Sequence, residues 1–404
     1  MKKTISTILL SAVALTVGTT AKAEPVCPDS TGFKFTDVKV LKRSTPVKDQ
    51  NKSGTCWCFS TNSFLEDEIL RLGGEELHLS EMFPVRKCYE DKADKYIRMD
   101  GKINFAQGGS ALDPLYVWRL YGAMPEEAYT GLNYGEEKHS HYEMADGLTG
   151  FLNGVLNNSG KGNTTAWKKA FCSILDSYLG VTPEKFTYKG KTYTPKEFAA
   201  SLPINPDDYI SLTSWTHHPF YTSFAVEVAD NWIWAQSLNL PLDEFKAVVD
   251  NAVENGFPIA WSADVSEPGF KWTEGYAVLP AGKEVADMTD AEVARWTKLS
   301  DKDREKEKNE VKGPGKEKEV TQESRQADFD AHRTTDDHGM EIVGYATDQN
   351  GTRYYKVKNS WDTNQIYDGY FYVSEAYFKA KTMGILVHKD AIPAAIAKKL
   401  GLKK

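Results

Sequence analysis

The stretch of sequence that decides the fold reads Asp49-Gln50-Asn51-Lys52-Ser53-Gly54-Thr55-Cys56-Trp57-Cys58-Phe59-Ser60. From Trp57 to Leu72 apolar residues recur at spacings near three and four, and two glycines follow, which predicts a helix that begins near Cys56. A cysteine at a helix N-terminus lies at the positive end of the helix dipole, which favours the thiolate. The stretch therefore predicts a reactive thiol. The side chain of Gln50 and the backbone N–H of Cys56 are the expected donors to a developing oxyanion.

Two downstream segments carry the partners that a nucleophilic thiol needs. His338 opens a strand-like run, and Asn359 ends a second run in which apolar residues alternate with lysines, so that Asn359 falls on the buried side. An Asn-Gly pair at 350–351 favours a hairpin turn between them. We therefore expect both side chains to point the same way from neighbouring antiparallel strands. His338 would lower the pKa of the thiol and protonate the leaving amine, and Asn359 would orient the imidazole.

Several local motifs accompany these residues, and the separation of Cys56 from His338 far exceeds the roughly 130–150 residues of papain-type enzymes. Together they resemble the papain superfamily and, within it, the bleomycin hydrolase/aminopeptidase C family. The motifs are Leu79-Ser80-Glu81, Gln107-Gly108-Gly109, His217-His218-Pro219 and His338-Gly339-Met340. Two departures concern the loops: Ser53 stands where papain-like enzymes usually have a cysteine, and Asp362 stands where a glycine is common.

The resemblance implies an α+β, papain-like two-lobe fold with large insertions, in which a helical lobe faces an antiparallel, β-barrel-like lobe. It implies a cysteine peptidase that uses Cys56, His338, Asn359 and Gln50 and acts as an aminopeptidase on small peptides. It also implies that Gly108 and Gly109 pair with the substrate backbone and that Trp361 shields the histidine from water. The alternatives are an endopeptidase or dipeptide-releasing peptidase with an open cleft, a hydrolase of other amides, and an inactive peptidase scaffold that binds a ligand.

The chain of 404 residues is long enough for two lobes with insertions. The expected segments are a signal peptide (1–23), an N-terminal linker (24–44), a helical lobe with the nucleophile (45–180), an insertion (181–235), a β-rich lobe with the His and Asn (236–387) and a C-terminal tail (388–404). Residues 281–327 are dense in Lys, Glu and Asp, which predicts a solvated, partly helical excursion, with a partner-docking arm as the alternative.

Two lysines, an apolar run and Ala21-Lys22-Ala23 give residues 1–23 the pattern of a cleaved secretory signal. We expect export to the periplasm or the extracellular space. Cleavage would remove three lysines and no acid, so the formal charge of −8 would become −11, which argues against nucleic acid as a partner. No other stretch is long and apolar enough for a bilayer, so no membrane association is expected after cleavage. Peptides are the expected substrates, and the resemblance implies a homo-hexamer.

No cofactor and no metal are expected, only a reduced thiol. Residues two apart on a helix point to different faces, so Cys58 is predicted to be a packed thiol instead of half of a metal site with Cys56. A disulfide among Cys27, Cys88 and Cys172 is open to any pairing.

The C-terminal residues bear on the choice between exopeptidase and endopeptidase. In the family that the chain resembles, a C-terminal arm enters the cleft and its carboxylate pairs with the α-ammonium group of the substrate. Here the last strand is expected to end near Val387, with a short helix from Ile392 to Leu400. The two final lysines would repel an ammonium group, so the usual arrangement is not expected.

Overall fold

The computed structural model describes residues 32–402, apart from 159, 161, 283–287, 301 and 305–309. The predicted signal peptide and Cys27 lie outside these residues. The described α-helices are α1 (Cys56–Arg71), α2 (Met82–Arg98), α3 (Asp113–Leu120), α4 (Tyr142–Leu156), α5 (Ala166–Leu179), α6 (Pro195–Ser201), α7 (Leu242–Glu254), α8 (Asp290–Trp296), α9 (Gln322–Asp330), α10 (Glu375–Lys381) and α11 (Ala394–Lys399). The described β-strands are β1 (Thr36–Val40), β2 (Phe186–Tyr188), β3 (Lys191–Tyr193), β4 (Tyr209–Thr213), β5 (Ser223–Ala225), β6 (Gln236–Asn239), β7 (Ile259–Ala263), β8 (Phe270–Lys271), β9 (Tyr276–Ala277), β10 (His338–Thr347), β11 (Arg353–Lys358), β12 (Tyr370–Ser374) and β13 (Thr382–His388).

Helix α1 is the centre of the helical lobe. It begins at Cys56, as predicted, and Gly73 follows its end with a left-handed φ of 85° that suits a glycine. Most α1 residues are buried, and helices α2 to α5 supply the apolar side chains around them. A helix that is buried all round, instead of along one stripe, belongs inside a packed lobe. The position of Cys56 is therefore fixed by the core and not by a flexible loop.

A large, mostly antiparallel sheet forms the other lobe. Its strand order is β5-β6-β4-β13-β7-β10-β11-β12-β9-β8, and β1 pairs with β10 beside this path. Side chains of α7, α10 and α11 pack with the central strands in a second apolar core. Helices segregated beside an antiparallel sheet make an α+β arrangement. The predicted fold class is confirmed.

Two hairpins are present, and the first is the one predicted from the Asn-Gly pair. Strands β10 and β11 are antiparallel, and the Asp348 N–H donates to the Thr352 carbonyl at 2.9 Å across the turn, where Gly351 has a φ of 83°. Strands β2 and β3 are joined by Lys189 and Gly190, both left-handed, as a two-residue hairpin turn with the strand twist requires. The first hairpin matters most, because β10 begins with His338 and β11 ends just before Asn359.

Three strands come from segments that the sequence assigned elsewhere. Strand β1 lies in the predicted linker and pairs with β10, and strands β4 and β5 lie in the predicted insertion and extend the sheet beyond β13. The residues of β1 are almost all exposed, so no apolar alternation marks them as a strand. The sheet therefore includes strands from two segments that precede the predicted β-rich segment in the sequence.

The end of the charged segment 281–327 is anchored in the fold, so the prediction of a solvated excursion is wrong there. Arg325 of α9 is 1% exposed, and its guanidinium donates to the carbonyls of Ser214, Lys379 and Thr382 while it lies over the Trp215 ring. These carbonyls accept the hydrogen bonds that the guanidinium would otherwise donate to water. A charge-rich composition could not reveal a cation that carbonyls satisfy inside the fold.

The C-terminal residues pack on the second core. The predicted short helix is confirmed as α11, which follows Pro393, and Leu400 and Leu402 contact the apolar residues of that core. Residues 403–404 lie outside the described part, so the effect of the two final lysines stays a prediction. No helix in the described part of the chain is long and apolar enough to cross a membrane.

Candidate active site

Cys56 is the first residue of α1 and is partly exposed. The backbone N–H groups of Trp57 and Gly339 point at its sulfur. Gly339 is the second residue of β10, so the first turn of α1 lies directly against the start of that strand. A Cβ at position 339 would come within 3.2 Å of the Trp57 Cα and 2.7 Å of the Ser60 Oγ. Only glycine allows this approach of strand and helix.

His338 is held by a hydrogen bond and by an aromatic ring. Its Nε2 lies 2.7 Å from Oδ1 of Asn359, and its ring stacks on Trp361 with 4.4 Å between centroids. The side chains of His338 and Asn359 are almost fully buried. Because an amide oxygen can only accept, Nε2 carries the proton and the lone pair lies on Nδ1. The imidazole is therefore a proton acceptor on the ring edge away from Asn359.

Gln50 is connected to the same loop as Asn359. Its N–H donates to the Ser360 carbonyl at 2.9 Å, and its Oε1 accepts the Ser360 hydroxyl at 2.7 Å. Its Nε2 donates one hydrogen to the Ser53 carbonyl at 2.8 Å, which leaves the second hydrogen for another acceptor. The predicted residues Cys56, Gln50, His338, Asn359 and Trp361 are thus brought together by three chain segments.

Gly108, the first glycine of the predicted Gly-Gly pair, lies beside the loop that carries Cys56. Trp57 Nε1 donates to the Gln107 carbonyl at 3.0 Å, and the Gln107 side chain accepts the Gly54 N–H at 2.7 Å. The buried Lys92 donates to the Gly108 carbonyl at 2.6 Å. These contacts fix the backbone of Gly108 against the loop that carries Cys56.

The second glycine, Gly109, lies against the ring of Trp57 and the carboxylate of Asp113. A Cβ there would come within 2.9 Å of the ring and 2.6 Å of the carboxylate. Asp113 accepts from the Ser110 hydroxyl at 3.0 Å and is itself fully buried. Burial raises the pKa of Asp113 to about 6, whereas Lys92 and its hydrogen bonds act in the opposite direction. No side chain larger than that of glycine fits at position 109.

Known cysteine peptidases resemble the chain over most of its length. A model of the papain family cysteine protease matches residues 34–159, and a model of the peptidase C1-like family matches residues 317–403. Aminopeptidase C of Lactobacillus delbrueckii subsp. lactis is 22% identical over 402 residues, which cover 87% of this chain and 81% of that protein. Human bleomycin hydrolase is 22% identical over 404 residues, which cover 88% and 83%.

The protein is a papain-like cysteine peptidase. The crystal structure of PepW from Lactobacillus rhamnosis HN001 superposes on it with a TM-score of 0.64 at 18% identity, covering 91% of this chain and 84% of that one. At this identity the superposition supports the fold alone, which it does over nearly the whole length of the chain.

The protonation of the two central residues differs from the expectation for a thiolate at a helix N-terminus. Burial raises the pKa of Cys56 to about 11, although the N–H groups of Gly339 and Trp57 act in the opposite direction. Burial lowers the pKa of His338 to about 4, and the Asn359 hydrogen bond opposes that shift. Burial disfavours a single charge on either group. The resting peptidase therefore holds a thiol beside a neutral imidazole.

A buried cluster of charges joins the two lobes behind the site, and the sequence did not predict it. Lys358 is 3% exposed, and its Nζ lies 3.7 Å from Asp67 of α1 and 3.6 Å from Glu341 of β10. The hydroxyl of Ser63 on α1 donates to Glu341 at 2.5 Å. Alternation had placed Lys358 opposite Asn359, on the exposed side. Both faces of this part of the sheet are buried because α1 covers the second face.

A second ionic group holds the nucleophile loop. Lys48 lies 3.4 Å from Glu66, 2.7 Å from Glu81 and 3.0 Å from Glu126, and these carboxylates raise its pKa against the effect of burial. Glu81 belongs to the Leu-Ser-Glu motif noted in the sequence. That motif therefore supports the segment before Gln50 from the side of α2.

The other cysteines in the described part of the chain are free thiols. Cys58 is fully buried, and its sulfur donates to the Glu81 carbonyl at 3.2 Å, so the predicted packed thiol is confirmed. Cys88 and Cys172 are also free, so these two are not joined to each other. The described cysteines therefore form no disulfide with one another.

Within the described residues, one group has the geometry to hold a metal ion. It consists of His217, His218 and Glu227, whose carboxylate oxygens lie 3.0 Å and 2.8 Å from the two Nε2 atoms. His217 and Glu227 are exposed. The hydrogen bonds already use its donors and acceptors, so the group is satisfied without an ion.

Proposed function

We propose that the peptidase cleaves peptide bonds with Cys56 as the nucleophile, His338 as the general base and acid, and Asn359 as the residue that orients the imidazole. The observation that carries this proposal is the 2.7 Å contact between Nε2 of His338 and Oδ1 of Asn359, next to the N–H of Gly339 on the Cys56 sulfur. A nucleophile, a base and an orienter in this relation form the arrangement required for acyl transfer.

The buried pair ionises by moving one proton. Transfer from the Cys56 sulfur to Nδ1 of His338 creates a thiolate and an imidazolium side by side, and each charge stabilises the other. A single ion on either residue would lack this compensation, which is consistent with the neutral resting pair. The thiolate attacks the carbonyl carbon of the substrate. The imidazolium then gives its proton to the leaving amine, and water attack releases the acid product.

Two donors are available to the oxyanion that forms during attack. One is the second Nε2 hydrogen of Gln50, and the other is the backbone N–H of Cys56, which heads α1 where amide groups lack intrahelical acceptors. Both belong to rigid segments. The Ser360 contact fixes the Gln50 amide without using the hydrogen that the oxyanion needs.

We infer that the substrates are small peptides with a free amino terminus. The relatives named aminopeptidase C support this inference, because the similarity covers most of this chain and most of each relative. The role of Gly108 and Gly109 in pairing with the substrate backbone belongs to the same proposal, as does the shielding of His338 by Trp361. Export of the peptidase and assembly into a hexamer also remain proposals, each resting on the sequence.

A thiol-directed epoxide inhibitor tests the chemistry. We expect one equivalent to label the wild-type enzyme and abolish hydrolysis of a fluorogenic aminoacyl substrate. Cys56→Ala should show neither labelling nor hydrolysis. Cys172→Ala is the matched control, since Cys172 is another partly exposed free thiol, and it should keep both. Hydrolysis at the wild-type rate by Cys56→Ala would refute the assignment.

A further inference from the structure

A carboxylate covers the first glycine of the cleft. Asp230 belongs to the segment 226–235 between β5 and β6, and a Cβ built on Gly108 would come within 1.9 Å of its Oδ2 and 2.6 Å of its Oδ1. Asn104 donates to Oδ1 at 3.0 Å and holds the carboxylate in this place. Since Gly108 belongs to the proposed backbone-binding segment, Asp230 occupies the path of a longer substrate on the side that precedes the scissile bond.

The segment that carries Asp230 is fixed to the helical lobe. The indole of the buried Trp232 donates to Asp113 at 2.7 Å, and Lys95 donates to the Trp232 carbonyl. The side chain of Asn231 donates to the carbonyls of Val226 and Ala235, both at 3.1 Å, and so closes the segment on itself. Asp113 also supports Ser110 beside Gly109. These contacts therefore fix the Asp230 carboxylate relative to the glycine segment.

A second carboxylate lies near the segment that carries Asp230, beside its residue Asn231. Asp336 lies two residues before His338 and lines an open pocket of about 70 Å³, together with Ser110, Asn231 and Ser262. Its carboxylate has no hydrogen-bond or ion-pair partner among the described residues. Burial and the charge of Asp230 raise the pKa of Asp336 to about 7. The two carboxylates are thus near enough to repel each other, and both act on the sulfur of Cys56.

The cation nearest to them does not neutralise this pair. Lys92 attracts Asp230 electrostatically, but its Nζ donates to the carbonyls of Ala106 and Gly108, and it makes no ion pair with either carboxylate in the described structure. Two carboxylates beside a nucleophile disfavour the thiolate, so they oppose the chemistry unless a cation joins them. The pocket that Asp336 and Asn231 line is open to such a cation.

We propose that Asp230 and Asp336 bind the free α-ammonium group of the peptide substrate, and that segment 226–235 closes the side of the cleft that precedes the scissile bond. The proposal rests on the proposed function and names the residues that make it an exopeptidase. An ammonium group carries three donors, so it can bond both carboxylates. An internal peptide segment offers no charge there and meets Asp230 instead of open space.

Matched fluorogenic peptides with free and acetylated amino termini test this proposal. We expect the wild-type enzyme to prefer the free series. Asp230→Asn should lose roughly 10- to 100-fold in kcat/KM on the free series, mainly through KM, and little on the acetylated series. Glu227→Gln is the control, because it removes an exposed carboxylate from the same segment and should keep the preference. Equal cleavage of both series by the wild type, or a loss in Asp230→Asn confined to substrates with a basic side chain, would overturn the proposal.

A binding measurement separates this proposal from the proposed function, because it needs no hydrolysis. A dipeptide amide with a free amino terminus should protect Cys56 from iodoacetamide in the wild type, and its acetylated form should protect much less. Without the ligand, Asp230→Asn should be alkylated faster than the wild type, since a charge that raises the pKa of Cys56 is gone. A misfolded variant would not gain in this way. Equal protection by both amides would refute the inference, whatever the enzyme hydrolyses.

Discussion

Replacing Asn359 by alanine removes the acceptor that lies 2.7 Å from Nε2 of His338. A hydrogen bond to a charged group contributes about 1.5–3 kcal/mol, and every 1.4 kcal/mol or so changes a rate tenfold. If His338 is protonated when it donates to the leaving amine, kcat/KM of Asn359→Ala should fall about 10- to 150-fold. The Trp361 ring stays stacked at 4.4 Å and still orients the imidazole, so the loss should remain far smaller than that of Cys56→Ala.

The pH profile of the same variant gives an independent measure. The hydrogen bond from Asn359 raises the pKa of His338, so its removal should move the acidic limb of kcat/KM to lower pH. Asn359→Asp is the matched variant, because a carboxylate at that position favours the imidazolium and should move the limb to higher pH. Both variants can be followed between about pH 3 and 8 with a free-amino fluorogenic peptide. A rate for Asn359→Ala within twofold of wild type, or a limb that moves upward, would refute the assigned role.

Two further predictions concern the charges behind and beside the site. Lys358→Met leaves Asp67 and Glu341 buried without their cation, so the free energy of unfolding in urea should fall by about 3–5 kcal/mol. Lys356 is more exposed, so Lys356→Met should lower the free energy of unfolding by less than about 1 kcal/mol. Equal unfolding midpoints for the two variants would contradict the first estimate. Asp336 has a folded pKa of about 7 against an ordinary value of 3.8, so the folded state keeps a proton that the unfolded state loses. That contribution is complete below about pH 4 and disappears as the pH rises through 7. Asp336→Asn should therefore gain stability relative to wild type between pH 5 and 8, and a constant difference across that range would rule this out.

The parts of the site that local sequence controls were predictable. Apolar spacing and the two glycines gave the helix that begins at Cys56, because side-chain periodicity and backbone freedom act within a few residues. The Asn-Gly turn and the two-residue period of the flanking strands brought His338 and Asn359 together, since register follows from the turn. In these places the tertiary fold agrees with local preference.

The parts that depend on long-range packing were not predictable from the pattern. Lys358 alternates like an exposed strand residue, and only the presence of α1 on the second face of the sheet makes it a buried cation. Strand β1 has no apolar alternation, because it is held by backbone pairing with β10. Asp230 lies far from Gly108 along the chain, in a stretch without a motif, and its position depends on Trp232 and Asp113.

In the proposed mechanism, the contact between the first turn of α1 and the start of β10 determines when proteolysis can begin. During synthesis the thiol of Cys56 leaves the ribosome long before His338, and the chain in between can fold the helical lobe without any base beside the sulfur. Gly339 then closes directly on Trp57, and one step completes the site. A nascent or truncated chain is therefore harmless to its neighbours. For the same reason the connecting segments can lengthen or shorten over evolution, because a backbone contact and not their length defines the distance across the site.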